Sequence, residues 1–290
     1  MSQGIMEFRE WWAIGHKPSM GAYVSALNQF CLYTRDKDVE SLTYKDVMGW
    51  YGIMKSLGYT PNSFVTKNPA LRTFFKFLRS VKKLKVIDSS VIPIPRQEVK
   101  MDHVKVESEY QKLVGSLKDK SAMDVRDKAL ILLTMDCGAR IGEILSLRVG
   151  NINFDEKKAV IKTEKSRGMR PIRELCWTTK TNDALKEWLK VFPRGDDAPL
   201  FISFSGPAIG NAMSHSAAED IFSKYAHKAK IDRVHPHEFR HRLGHILAKK
   251  GVSSTMISNI LGHSSLQSSM RYTMMNHGEM KDTYHEVMGE

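Results

Sequence analysis

Helical periodicity in this 290-residue chain breaks down near 86–103, and the break limits what the chain can fold into. Val86-Ile87-Asp88-Ser89-Ser90-Val91-Ile92-Pro93-Ile94-Pro95 carries two prolines one residue apart. Each fixes φ, lacks an N–H, and biases the residue before it toward extended backbone. The segment therefore predicts a linker between two bodies, with residues 1–90 as a helical first domain, 91–103 as the linker and 104–290 as a second domain. A chain of this length fits two ordinary domains.

The first part reads as all helix. Its clearest segment is Leu71 to Lys83, where Leu71, Phe74, Phe75, Leu78 and Val81 form an apolar stripe at helical spacing. Arg72, Lys76, Arg79 and Lys83 fall on the other side, as a solvated face would. In the second part, Ala129, Leu130, Leu132, Leu133 and Met135 predict a buried helix that stops at Gly138. Residues 159–174 predict two short strands around a Lys165-Ser166-Arg167-Gly168 turn. Helices follow at about 181–191, 216–229, 237–250 and 254–261. In the last of these, capped by Ser253 or Ser254, Met256, Ile257, Ile260 and Leu261 are expected to pack inward. The fold class is thus mainly α, with a small antiparallel β-sheet in the second domain.

The formal net charge of +12 points to a phosphate-rich partner. Both parts contribute, with 13 Lys+Arg against 7 Asp+Glu in residues 1–95 and 31 against 25 in the remainder. No run of about 18 apolar residues suits a membrane span, and the first residues do not read as a secretory signal. Cys31, Cys137 and Cys176 form no C-x-x-C pair, which fits a reduced, intracellular protein. The localisation expected is cytoplasmic and nucleoid-associated.

The chemistry concentrates in the second part. Arg140, Lys165, His237, Arg240, His263 and Tyr272 follow one another in order. Two arginines, a lysine and two histidines can surround one phosphate, and a tyrosine can attack it. Pro236 suits the first turn of a helix, so His237 and Arg240, three apart, stand near free N–H groups that favour an anion. Arg240 adds a planar fork for two phosphate oxygens. Phe239, Leu243, Ile246 and Leu247 form the buried face of that helix. Arg140 sits at a bend after Gly138, where Glu143 can orient it or a neighbouring histidine. The phenol of Tyr272, ordinarily near pKa 10, needs nearby cations to act as a nucleophile. His237-Glu238-Phe239-Arg240-His241 also matches the H-E-x-x-H zinc-protease helix. The third histidine of that pattern is replaced by Leu247, and His245 comes too early.

Taken together, Cys137-Gly138-Ala139-Arg140-Ile141-Gly142-Glu143-Ile144-Leu145-Ser146-Leu147-Arg148, the H-x-x-R-H at 237–241, the L-G-H at 261–263 and Tyr272 nine residues on resemble the tyrosine recombinase, or phage-type integrase, family. The similarity covers about residues 104–275, while residues 1–95 resemble the family's helical core-binding domain only loosely. The resemblance implies a DNA clamp and a site-specific recombinase that cuts and rejoins strands through a 3′-phosphotyrosine, with no metal and no other cofactor. Tyr272 is then the nucleophile, Arg140 and Arg240 bind the non-bridging oxygens, and Lys165, or second Lys162, protonates the leaving 5′-oxygen. His237 and His263 assist and Glu143 supports the pocket. Arg72, Lys76, Arg79 and Lys83 are expected on DNA, and Arg242 either on phosphate or exposed. Partners implied are double-stranded DNA with inverted repeats and further copies of the chain: a tetramer on DNA, a monomer or weak dimer when free. Met280, Thr283, Tyr284, Val287 and Met288 recur at helical spacing, as a helix docked on the chain's own core would in a monomer; the resemblance implies instead a contact with a neighbouring subunit. Two other readings keep the fold: a type IB topoisomerase-like enzyme and a non-catalytic DNA-binding regulator.

Overall fold

The computed structural model describes residues 1–15, 20–93, 105–162, 172–204 and 209–262. The chain divides into two compact units, Met1–Met101 and Asp102–Glu290. Among the described residues, no helix is long and apolar enough to cross a membrane.

The first unit is built from helices α1 (Ser2–Gly15), α2 (Met20–Tyr33), α3 (Tyr44–Ser56) and α4 (Pro61–Ser80). Proline at the first position of α4 costs nothing, because that N–H has no partner in a helix anyway. Leu71, Phe74, Phe75 and Leu78 of α4 are buried, as their spacing predicts. They meet Phe8, Leu27, Phe30 and Trp50 in one aromatic-rich core. Phe8 stands edge-on to Phe74 and Phe30 edge-on to Trp50, the arrangement ring quadrupoles favour.

Two expectations about α4 change. The helix ends at Ser80, so Lys83 lies beyond it, and Val81 is 48% exposed rather than part of the apolar stripe. The cause is local: Lys83 adopts φ +58° and the Leu84 N–H returns to the Leu78 carbonyl at 3.1 Å, which closes the helix. The basic face is also partly spent inside the unit. Arg72 Nη1 donates to the Ile92 carbonyl at 2.6 Å and Asn68 Nδ2 to that of Pro93 at 2.6 Å. Ile92 is fully buried, so the segment expected to start the linker is packed into the first unit as far as Pro93. Arg79 pairs with Asp88, and Lys76 is exposed.

The second unit contains α5 (Glu107–Gly115), α6 (Ala122–Cys137), α7 (Ile141–Leu145), strands β1 (Ile152–Asn153), β2 (Lys158–Lys162) and β3 (Ile172–Cys176), then α8 (Thr179–Val191), α9 (His215–Lys228), α10 (Pro236–Lys249) and α11 (Ser254–Leu261). Helix α6 starts where the Ser121 hydroxyl accepts the Asp124 N–H and ends where Gly138 turns left-handed at φ +51°. Most of its length is buried, Arg126 and Asp127 included. That polar pair is satisfied internally: Arg126 Nη2 meets Asp127 at 2.6 Å, Arg126 Nη1 reaches the Ile202 carbonyl, and Lys224 reaches the other Asp127 oxygen. Helices α8 and α10 both pack on α6. Trp188 of α8, wholly buried, places its indole N–H on the Leu200 carbonyl at 2.8 Å.

The sheet is antiparallel in the order β1-β2-β3, with Lys162 opposite Ile172. The expected hairpin is therefore present, and its turn, with Lys165, lies outside the described residues, as do His263, Tyr272 and the 280–288 stripe. Strand β3 alternates, with Arg173 and Leu175 buried and Ile172, Glu174 and Cys176 exposed. In α11 only part of the expected inward face is inward. Ile257 and Leu261, four apart, are fully buried, whereas Met256 and Ile260, one position earlier in each turn, are 52% and 36% exposed.

Arg72→Ala should lower the unfolding free energy of the first unit by about 1–2 kcal/mol, the contribution of a hydrogen bond to a partly buried charged donor. Denaturant unfolding of the full chain followed by tryptophan fluorescence measures it. An unchanged midpoint would mean that packing and the Asn68–Pro93 hydrogen bond hold the Ile92 segment without Arg72.

Candidate active site

Four pieces of backbone converge in the second unit: the end of α6, the start of α10, strand β3 and the end of α11. Gly138 is the junction. Its left-handed φ admits few residues other than glycine. A Cβ there would also stand 3.0 Å from Leu243, 3.2 Å from Leu261 and 3.3 Å from the Arg240 Cα.

Arg240 lies in the first turns of α10 and is only 1% exposed. Its Nη1 donates to the Gly138 carbonyl at 3.1 Å, a group α6 cannot satisfy within itself. His237, three residues before Arg240 on the same helix, is exposed, and its ring meets His241 edge-on with centroids 4.7 Å apart. The buried face of α10 consists of Phe239, Arg240, His241 and Gly244. Leu243, Ile246 and Leu247 are only half-buried, with Leu243 and Leu247 packed against Ile257 and Leu261 of α11. Glu238 caps its own helix, accepting the His235 N–H at 2.8 Å, and its other oxygen pairs with Lys105 at 2.9 Å. The carboxylate that an H-E-x-x-H protease would use as a base is thus committed to the helix start. Arg242 forks onto Glu107 and lies over the Tyr110 ring, tying α10 to α5.

Arg140 immediately precedes α7 and has extended backbone. Glu143 holds it twice, accepting the Arg140 N–H at 3.0 Å and Nη1 at 2.9 Å. A weaker contact runs from Nη1 to the Gly262 carbonyl at 3.4 Å. The Arg140 side chain nonetheless keeps 37% of its surface open, so an anion can reach it. Of the two roles open to Glu143, orienting Arg140 is therefore the one its hydrogen bonds display. Gly262, left-handed at φ +66°, ends α11 at this point.

Arg173 is the site residue that motif reasoning missed. It projects from β3 to the buried side and donates Nη1 to Glu143 at 2.8 Å, Nε to the Ile260 carbonyl at 3.1 Å and Nη2 to the Cys137 carbonyl at 3.4 Å. Burial pulls its pKa below the usual arginine range, and the Glu143 carboxylate opposes the shift. A Cβ on Gly262 would lie 2.8 Å from its Cδ, so guanidinium and backbone are in close contact. Strand alternation carried the signal: a charged residue shares the face of Leu175. Beside it, burial pushes the Cys137 thiol well above its ordinary pKa, and that thiol donates to the Cys176 carbonyl at 3.2 Å.

The site that results is two buried guanidinium groups, of Arg173 and Arg240, and the half-open one of Arg140, gathered at the Gly138 turn next to the start of a helix. The sequence matches the phage integrase family over residues 106–279. Tyrosine recombinase XerC of Haemophilus influenzae is 25% identical over 269 residues, covering 87% of each chain. Tyrosine recombinase XerA of Pyrococcus furiosus is 26% identical over 247 residues, covering 83% of this chain and 80% of its own. The fold is shared with the XerH site-specific recombinase, solved bound to its palindromic difH substrate. There the TM-score is 0.74 at 18% identity, over 94% of this chain and 80% of that one. The chain belongs to the phage integrase family. By that membership it is a tyrosine recombinase, an enzyme of the DNA breaking-and-rejoining class.

Gly138→Ala should destabilise the second unit by about 1–3 kcal/mol, combining a left-handed Cβ with overpacking against Leu243 and Leu261. Thermal unfolding reads the change, and an unshifted transition would show that the α6–α10 junction relaxes freely.

Proposed function

We propose that the chain is a site-specific DNA recombinase working through a 3′-phosphotyrosine. The observation that carries this is Arg140, held by Glu143 from behind and open in front, on the same glycine junction that anchors buried Arg240. Arg140 and Arg240 take the non-bridging oxygens of the scissile phosphate and stabilise the charge that grows on them in the transition state.

In this proposal the Tyr272 oxygen attacks phosphorus and the bond to the 5′-oxygen breaks. Lys165 gives that oxygen its proton, leaving a 3′-phosphotyrosine and a free 5′-hydroxyl. Attack by the 5′-hydroxyl of another strand reverses the step, returns the phenol and joins the strands. Because the phosphoryl group stays in ester linkage throughout, the reaction needs no nucleotide cofactor. His237 and His263 assist proton transfer and phosphate binding. The first unit is assigned the role of gripping DNA, with Lys76 an exposed cation on α4. The assembly proposed is four copies on paired inverted-repeat sites, joined through the segment that follows Tyr272.

Protein incubated with fragmented total DNA in EDTA and quenched in denaturant should yield covalent adducts at a recurrent inverted repeat. Tyr272→Phe should yield none while retaining DNA affinity. Adducts from the variant would remove Tyr272 from the nucleophile's role.

Lys165→Ala should slow cleavage of the recovered site by about 10²–10⁴, the usual contribution of a general acid. A 5′-phosphorothiolate, whose sulfur leaves without a proton, should restore the rate. Rescue of Lys162→Ala instead would shift the assignment by three residues.

A further inference from the structure

Glu143 is one carboxylate shared by two guanidinium groups. One of its oxygens accepts Arg140 Nη1 at 2.9 Å, and the other accepts Arg173 Nη1 at 2.8 Å and the Arg140 N–H at 3.0 Å. The formal charge of the trio is +1. Removing Arg173 would leave Arg140 and Glu143 as a closed, neutral pair. Arg173 cannot itself meet a substrate, since each of its nitrogens is engaged with Glu143 or a main-chain carbonyl and its side chain is buried. Burying a guanidinium is costly unless a carboxylate answers it. An ordinary strand-to-helix tie between β3 and α11 needs only a hydrogen-bond donor to Ile260, not a full charge on the buried face.

We infer that Arg173 is a positioning residue that keeps the charge of Arg140 available to phosphate by taking up half of the Glu143 carboxylate. The surplus positive charge of the trio then resides on the member that solvent can reach. The same side chain fixes the end of α11 through Ile260 and Gly262, so one residue sets both the charge of Arg140 and the position of the α11 end. The inference rests on the proposal that Arg140 meets a phosphate.

The test uses the full chain and inorganic phosphate, with binding followed by calorimetry or phosphorus NMR at fixed ionic strength. Arg173→Gln should weaken phosphate binding about tenfold, the size of one charge-assisted hydrogen bond. Adding Glu143→Gln removes the charge that Arg173 had offset, so the double variant should return to within about threefold of wild type. A residue that only tied β3 to α11 would not be rescued by a second change in the same cluster. Arg173→Lys, which keeps the charge, should also stay within about threefold. Should Arg173→Gln fail to fold, the lysine variant carries the test, because a tenfold loss in a folded Arg173→Lys protein would assign the effect to fit rather than charge. Unchanged binding by Arg173→Gln, a double variant worse than the single, or no phosphate binding by wild type would each overturn the inference. Phosphate binding that follows the expected pattern in a chain that forms no DNA adducts would keep the inference and sink the recombination reading.

Discussion

The second unit is organised by where α6 stops. A helix buried along most of its length has to end with its last carbonyls satisfied, and it has nowhere to send them but into other elements. Gly138 makes the stop possible by turning left-handed. The carbonyls of Cys137 and Gly138 then receive Arg173 and Arg240, side chains from a strand and from another helix. Arg140 leaves the same corner toward solvent. Helix termination, core packing and the placement of Arg140 are therefore one arrangement, and a change that relaxes the stop acts on all three.

Charge is distributed with similar economy. Arg240 gives up exposure and holds the α6 end. Arg173 gives up exposure and offsets Glu143, and Arg140 alone of the three stays half-open. Guanidinium groups suit this because they remain protonated when partly desolvated and bond several carbonyls in one plane. A lysine at any of these positions would carry the charge without the geometry.

Much of this was legible in the sequence. Helices α6 and α8 to α11, the strand pair and the Gly138 stop follow from periodicity and from glycine's backbone freedom, whereas α5 and α7 were not foreseen. Glu143 beside Arg140 was readable from their spacing. What periodicity could not supply was competition for space. It set His237 and Arg240 three apart near the start of a helix, but did not show that Arg240 is buried on a carbonyl 102 residues away in sequence while His237 is exposed. It placed Val81 and Lys83 on a helix that a left-handed turn had already closed. It assigned Arg72 to a solvated face, although Arg72 holds the chain at Ile92. Arg173 was visible only as an oddity of alternation, since no motif contains it.

Strand β3 has one more consequence. Its alternation turns Leu175 into the core and Cys176 outward, while Cys137 and Cys31 are both buried. Burial holds the Cys137 thiol protonated, and a thiol reacts through its thiolate. To an alkylating or oxidising reagent the folded molecule therefore presents a single sulfur among its cysteines. It lies three residues along the strand from Arg173 and on the opposite face. A fluorophore or spin label attached there would sit outside the pocket, on the strand that Arg173 ties to it.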